Sequence, residues 1–136
     1  MRSRILLFVA TAAVFSNVAS AEDIAEARFV EAVRIYSTYK MTESMSVMCR
    51  KWHPPASAAV DAAVRKLNEK HAAKIEAAKR VLGEEERKMA DENSMDSRKQ
   101  LDERFHNASA ELRRDWCEKF PERIESADRM LTERKL

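Results

Sequence analysis

The chain has a single glycine, Gly83, and three prolines, Pro54, Pro55 and Pro121. Strand-rich folds need turns built on glycine, proline or Asn-Gly pairs, so this scarcity excludes a sheet. One glycine also leaves few points at which a substrate can approach the backbone closely. The sequence holds no glycine-rich phosphate loop, no nucleophile elbow and no paired carboxylates in an apolar setting. The acids lie on mixed-charge helix surface, and no two of the three histidines have the spacing of a zinc motif. The expectation is a protein that is not an enzyme and carries no cofactor.

Long apolar runs are missing too, apart from the start. Arg2 and Arg4 precede an apolar run from Ile5 to Phe15, and small residues follow up to Ala19-Ser20-Ala21. This is the order of a secretory signal peptide, with cleavage expected after Ala21. The run is short of the roughly 20 residues that span a bilayer. No cysteine stands at the cleavage point to take a lipid, so no stable membrane anchor is expected after cleavage. Of 25 Lys+Arg and 23 Asp+Glu, the leader carries only Arg2 and Arg4. Residues 22–136, expected to form a single helical domain, therefore hold 23 charges of each sign. That neutrality gives no case for nucleic-acid binding.

What is present is Ala, Glu, Lys, Arg, Leu and Met at helical spacing. The reading is an all-α, antiparallel three- to four-helix bundle. The first helix is expected from Glu22 to Trp52, with acids in its opening turn. Its buried stripe is read as Ile24, Ala27, Val30, Val33, Tyr36, then Met41, Met45, Met48, Cys49 and Trp52, with a bend near Ser37 and Thr38. His53-Pro54-Pro55 ends it. A second helix opens around Pro55 to Ser57 with the seam Val60, Val64, Leu67, His71, Ile75, Ala78 and Leu82, and Gly83 as C-cap. A third starts at Glu84-Glu-Glu86, carries Met89, and resumes as Leu101, Phe105, Ala108, Leu112, Trp116 and Phe120. Its polar stretch from Asp91 to Ser97 reads as a kink or a short loop. Pro121 stops it, and a last helix carries Ile124, Ala127 and Leu131.

Charge is uneven along the chain. Arg50 to Arg80 holds eight bases and three acids, and Glu84 to Glu103 eight acids and four bases. These are either complementary flanks of an antiparallel hairpin or solvated faces that contribute little.

An exported chain with two cysteines is expected to oxidise them, giving a Cys49–Cys117 disulfide. In an up-down-up arrangement the ends of the first and third helices meet. The way down covers ~40 Å and the way back ~50 Å at ~1.5 Å per residue, so a break is expected near Asn93. Trp52 and Trp116 are expected to pack over the bond.

The alternative chemistry is a soft-metal site for copper or silver. Met41, Met45, Cys49 and His53 fall at i, i+4, i+8 and i+12, with Met48 alongside, and thioether, thiolate and imidazole suit Cu(I). Against it, methionines at this spacing usually pack cores, and the stripe spans ~18 Å, too long for one ion. His71 is read as a neutral seam histidine holding one hydrogen bond. Asn107-Ala-Ser109 fits the glycosylation pattern but is read as lying within a helix.

The small, exported, helical and charge-rich character is similar to periplasmic chaperones of the stress-response type, whose repeated Leu-Thr-x-x-Gln is met here only by Leu131-Thr132-Glu133-Arg134. It also resembles disulfide-containing helical immunity or inhibitor proteins of the bacterial envelope. The expected role is binding another protein, or a second copy of itself, with Tyr36, Tyr39 and the segment Asp91 to Arg98 as exposed contact residues.

Overall fold

The computed structural model describes residues 19–136, so the expected leader over residues 1–21 lies almost wholly outside the described residues. Helix α1 (Ala21–Trp52) opens on a capping box. Ser20 Oγ accepts from the Asp23 amide at 3.1 Å, and the Ser20 amide donates to Asp23 Oδ2 at 3.0 Å. Two orphan donors are thereby satisfied one residue before the expected start. The helix runs uninterrupted through Ser37 and Thr38, where Thr38 Oγ1 donates to the Arg34 carbonyl at 2.8 Å.

His53 stops α1, and Pro54–Ala56 form one 3-10 turn. Helix α2 (Ser57–Lys70) then descends, and α3 (Ala72–Asn107) continues it after His71. The ladder hardly notices the boundary, because His71 N donates to Leu67 O and Ile75 N to His71 O. All seven residues of the expected seam are buried. At Gly83 the chain reverses inside α3, with φ 69° and ψ −174°, a region essentially reserved for glycine. Residues 84–107 climb back parallel to α1, as the successive pairs Tyr36–Asp91, Ser44–Ser94 and Lys51–Asp102 show.

The expected break at Asp91–Ser97 does not occur. Asp91, Ser94 and Arg98 face α1 on one side of an unbroken helix and find polar partners there. Polar residues that read as a loop are the interface itself. The break lies instead at Ala108, with ψ 156°, and Ser109, whose Oγ accepts from Leu112 N at 3.1 Å and caps α4 (Ala110–Glu118). Leu112, expected in the seam, is consequently 57% exposed. Among the described residues the two charge-biased flanks share a single ion pair, Lys51–Asp102, and it is made from the end of α1; Asp91 pairs with Lys40, also on α1.

Helix α5 (Phe120–Glu133), with Pro121 in its first turn, completes the up-down-up-down bundle. It runs alongside α2, with Lys70 on Asp128 at one level and Lys74 donating to the Leu131 carbonyl beyond it. Two apolar clusters result. One joins Ala32, Ile35, Tyr36, Leu67, Ile75, Ala78, Leu82 and Leu131. The other joins Cys49, Ala56, Val60, Val64, Phe105, Cys117 and Phe120 under Trp52 and Trp116. Cys49 and Cys117 form a disulfide with Cα atoms 5.6 Å apart, inside the usual range. No helix among the described residues is long and apolar enough to cross a membrane.

The expected buried stripe of α1 is corrected in its first half. Ala32, Ile35 and Tyr36 face the core, while Ile24, Ala27, Val30 and Val33 are exposed, as is Met41. α1 is apolar on more than one side, and the packing of residues 57–82 and α5 selects which side is covered.

Candidate functional site

Phe29, Val33, Ser37, Met41 and Met45 step by four along α1 and form one row on its surface. Glu86, Met89 or Ala90, Asn93, Ser97 and Leu101 form the facing row on residues 84–107 of α3, and Leu82, just before the reversal, lines the same groove. The two rows do not close on each other but border a groove of about 550 Å³, within the ordinary range for ligand pockets. Leu82 is buried and Ala90, Met45 and Leu101 half-buried. Phe29, Val33, Met41 and Met89 remain 40%, 39%, 55% and 59% exposed. Beyond the groove, residues 21–30 of α1 are exposed on every side, adding Ile24 and Val30 to the open apolar surface.

The groove is polar at defined points. Lys40 lies 3.1 Å from Glu43 and 3.5 Å from Asp91. Arg98 donates through Nε and Nη2 to Ser44 Oγ, both at 3.3 Å. Ser44 Oγ also lies 3.3 Å from Ser94 Oγ. With Thr42 and Ser46, Ser44 makes a buried polar waist between the two apolar clusters. Ser46 donates to Asp61, which also accepts from Arg50 at 3.1 Å. The Ser46 bond, aided by Arg50, holds the Asp61 carboxyl below its usual range.

The sequence-read contact residues are placed differently from one another. Tyr36 is 5% exposed, and its hydroxyl donates to Asp91 at 2.8 Å. It is a core residue rather than an exposed contact, because its ring closes the cluster around Ile35. Burial, reinforced by Asp91, pushes its hydroxyl up to about 12. Tyr39 is half-buried between the Lys40 and Lys79 ammonium groups, 5.8 and 5.3 Å from its ring, and burial raises its hydroxyl as well. Of the segment Asp91 to Arg98, Glu92, Asn93, Met95, Asp96 and Ser97 are exposed, whereas Asp91, Ser94 and Arg98 are turned to α1.

The residues of the soft-metal reading are dispersed. Met41 and Met45 line the groove, Met48 is 3% exposed, and Cys49 is bonded to Cys117. The disulfide removes the thiolate that would be the strongest ligand of that set. His53 lies 3.3 Å from Glu118. His71 is buried and its Nε2 donates to Asp128 Oδ1 at 2.6 Å. Asn107 ends α3 at the exposed corner before Ser109, so Asn107-Ala-Ser109 is not inside a helix.

Phe29 and Arg104 were not singled out by sequence reasoning as members of a site, and Arg98 entered only as the end of the segment Asp91 to Arg98. Phe29 falls off the stripe through Ile24 and Val30, and only the step of four to Val33 hints at a second row. For Arg104 no local signal exists.

Comparison with known protein families, with characterised proteins and with solved structures finds no match for this chain.

Proposed function

We propose that this chain is a non-enzymatic, disulfide-pinned factor of the bacterial periplasm or extracellular space, and that it binds an apolar segment of another protein between α1 and residues 84–107. The observation that carries this reading is the convergence of large apolar side chains from two helices on one groove where they stay exposed. Elsewhere the same chain buries Ile35, Val60 and Leu131 completely. Contiguous exposed apolar surface of this kind marks interaction sites. Methionine suits a groove that must adapt to a partner, being unbranched and polarisable. Two parallel helices with an open seam fit a third helix laid into it, recognised through residues three and four apart. Export is supported by the order of residues in the leader and by the disulfide.

The test is site-specific photo-crosslinking in the source cells, with the reactive residue at Met89, at Phe29 or at the exposed Glu125 on α5. A discrete adduct at Met89 and Phe29 but not at Glu125 is expected. An adduct of twice the chain mass would make the partner a second copy. Equal labelling at all three positions, or none at the groove positions, would sink the reading.

A further inference from the structure

The groove is not uniform along its length. At the Gly83 end it is apolar with one acid: Phe29 and Val33 face Met89, beside Glu86. At the disulfide end Arg98 and Arg104 line it. Arg98 is half-buried and held only by the Ser44 hydroxyl, and no carboxylate lies within 4.0 Å of either guanidinium among the described residues. Of the three bases that line the groove, Lys40 is matched by Glu43 and Asp91, whereas the two arginines at its mouth are not matched by a carboxylate.

Resting on the docking reading above, we infer that the occupant is an amphipathic helical segment with a cluster of Glu or Asp at one end, and that those carboxylates seat on Arg98 and Arg104. The guanidinium fork suits a carboxylate, which it can grip through two parallel bonds. The row from Phe29 to Met45 is ~24 Å long at ~1.5 Å per residue, so it accommodates four to five helical turns. A protein segment fits better than an acyl chain with a carboxylate head. Ser37, Asn93 and Ser97 border the groove along its length, and an acyl chain would cover them without replacing the hydrogen bonds they make to water.

The experiment uses the full mature chain and synthetic amphipathic peptides of roughly 18 residues, long enough for that row. They share one Leu/Ala/Gln pattern and carry three glutamates at the N-terminal end, three at the C-terminal end, or three lysines in either place. Binding is read by fluorescence anisotropy. One glutamate peptide is expected to bind about tenfold or more tighter than its lysine counterpart, the effect of one close charge pair. The preference should vanish or invert in R98E/R104E. Because Arg98 also holds Ser44, Arg104→Glu alone, at an exposed position, should reduce the preference in a chain whose melting is unchanged.

Glutamate and lysine peptides binding alike, or a preference that survives both variants, would overturn the inference and leave the docking groove standing. If no peptide binds, or if Met89→Glu leaves peptide binding unchanged, the docking reading falls and this inference with it. Decanoate binding that Arg104→Glu abolishes, with every peptide inert, would assign the arginines to an acyl carboxylate and overturn the inference.

Discussion

The two ends of the bundle use similar amounts of apolar sequence to different effect. At the disulfide end, Trp116 meets Phe105 edge to face and packs tilted against Phe120, with ring centres 5.2 and 5.7 Å apart, in the cluster that holds Cys49 and Cys117. Trp52 is held there too: its Nε1 donates to Asp102 at 2.7 Å, and Arg113 covers its ring at 4.6 Å. Arg113 in turn donates to the His106 and Ala108 carbonyls and closes the α3 terminus. At the Gly83 end, no helix among the described residues covers the start of α1, and Ile24, Phe29, Val30 and Val33 remain open. The difference comes from α4, which crosses the disulfide end after the break at Ala108. Apolar side chains are covered where a helix crosses them and left available where none does.

The largest expected effect breaks the covered end. The disulfide closes a loop with a sequence separation of 68, for which chain entropy predicts about 4 kcal/mol. The double variant C49S/C117S should lose that much in chemical denaturation and melt on the order of 15 °C lower. An unchanged melting curve would show that aromatic packing alone holds this end.

Next comes the reversal at the open end. Gly83→Ala forces a side chain into a glycine-only region, and its Cβ would meet Glu86 Oε2 at 3.0 Å. The expected loss is about 1–3 kcal/mol by urea titration. A neutral result would mean that the 84–107 arm re-docks without strain.

A pH series should separate the polar contacts of the two ends. The Lys51 ammonium, with Trp52, holds Asp102 below the usual carboxylate range, and Lys70, with His71, does the same for Asp128. Both therefore stabilise above the unfolded value of about 3.9, and that stability is lost as pH falls through about 4 toward their folded values. Tyr36 has the opposite sign. Its folded value of about 12 exceeds the ordinary 10, so its contribution is full below pH 10 and lost between about 10 and 12. Tyr36→Phe should reduce the alkaline loss measured by circular dichroism, leaving the part carried by Tyr39, whose hydroxyl burial also raises, and leaving the acid limb in place.

The smallest stability effects are expected in the groove. Phe29→Ser and Met89→Ser, at exposed positions, should each shift stability by no more than about 0.5 kcal/mol, whereas Phe105→Ala at the covered end should cost about 3–5 kcal/mol. A large destabilisation from Met89→Ser would mean that the groove is core, and the contrast between the ends would disappear.

Some of this was legible in the residues themselves. The seam Val60, Val64, Leu67, His71, Ile75, Ala78 and Leu82 is a three-four repeat with no competing face, and every member is buried. Gly83 and Pro121 mark their boundaries because their backbone chemistry is local. Ser109 was legible in principle as an N-cap with Glu111 in the first turn. It was outweighed by the apolar spacing of Ala108, Leu112 and Trp116, which continued the helix on paper.

By itself, then, the sequence determined the helical class, the Cys49–Cys117 pairing and the descending seam, since each rests on backbone preference, spacing or the count of cysteines. Only the tertiary structure decided that Asp91, Ser94 and Arg98 pack against α1 and do not form a loop. It alone decided that Tyr36 is core while Phe29, Met41 and Met89 share an open groove, and that Arg98 and Arg104 gather at one mouth. The physical reason is that α1 is apolar on several sides. Periodicity reports that a face can be buried, but which face is covered depends on where the other helices find room to pack.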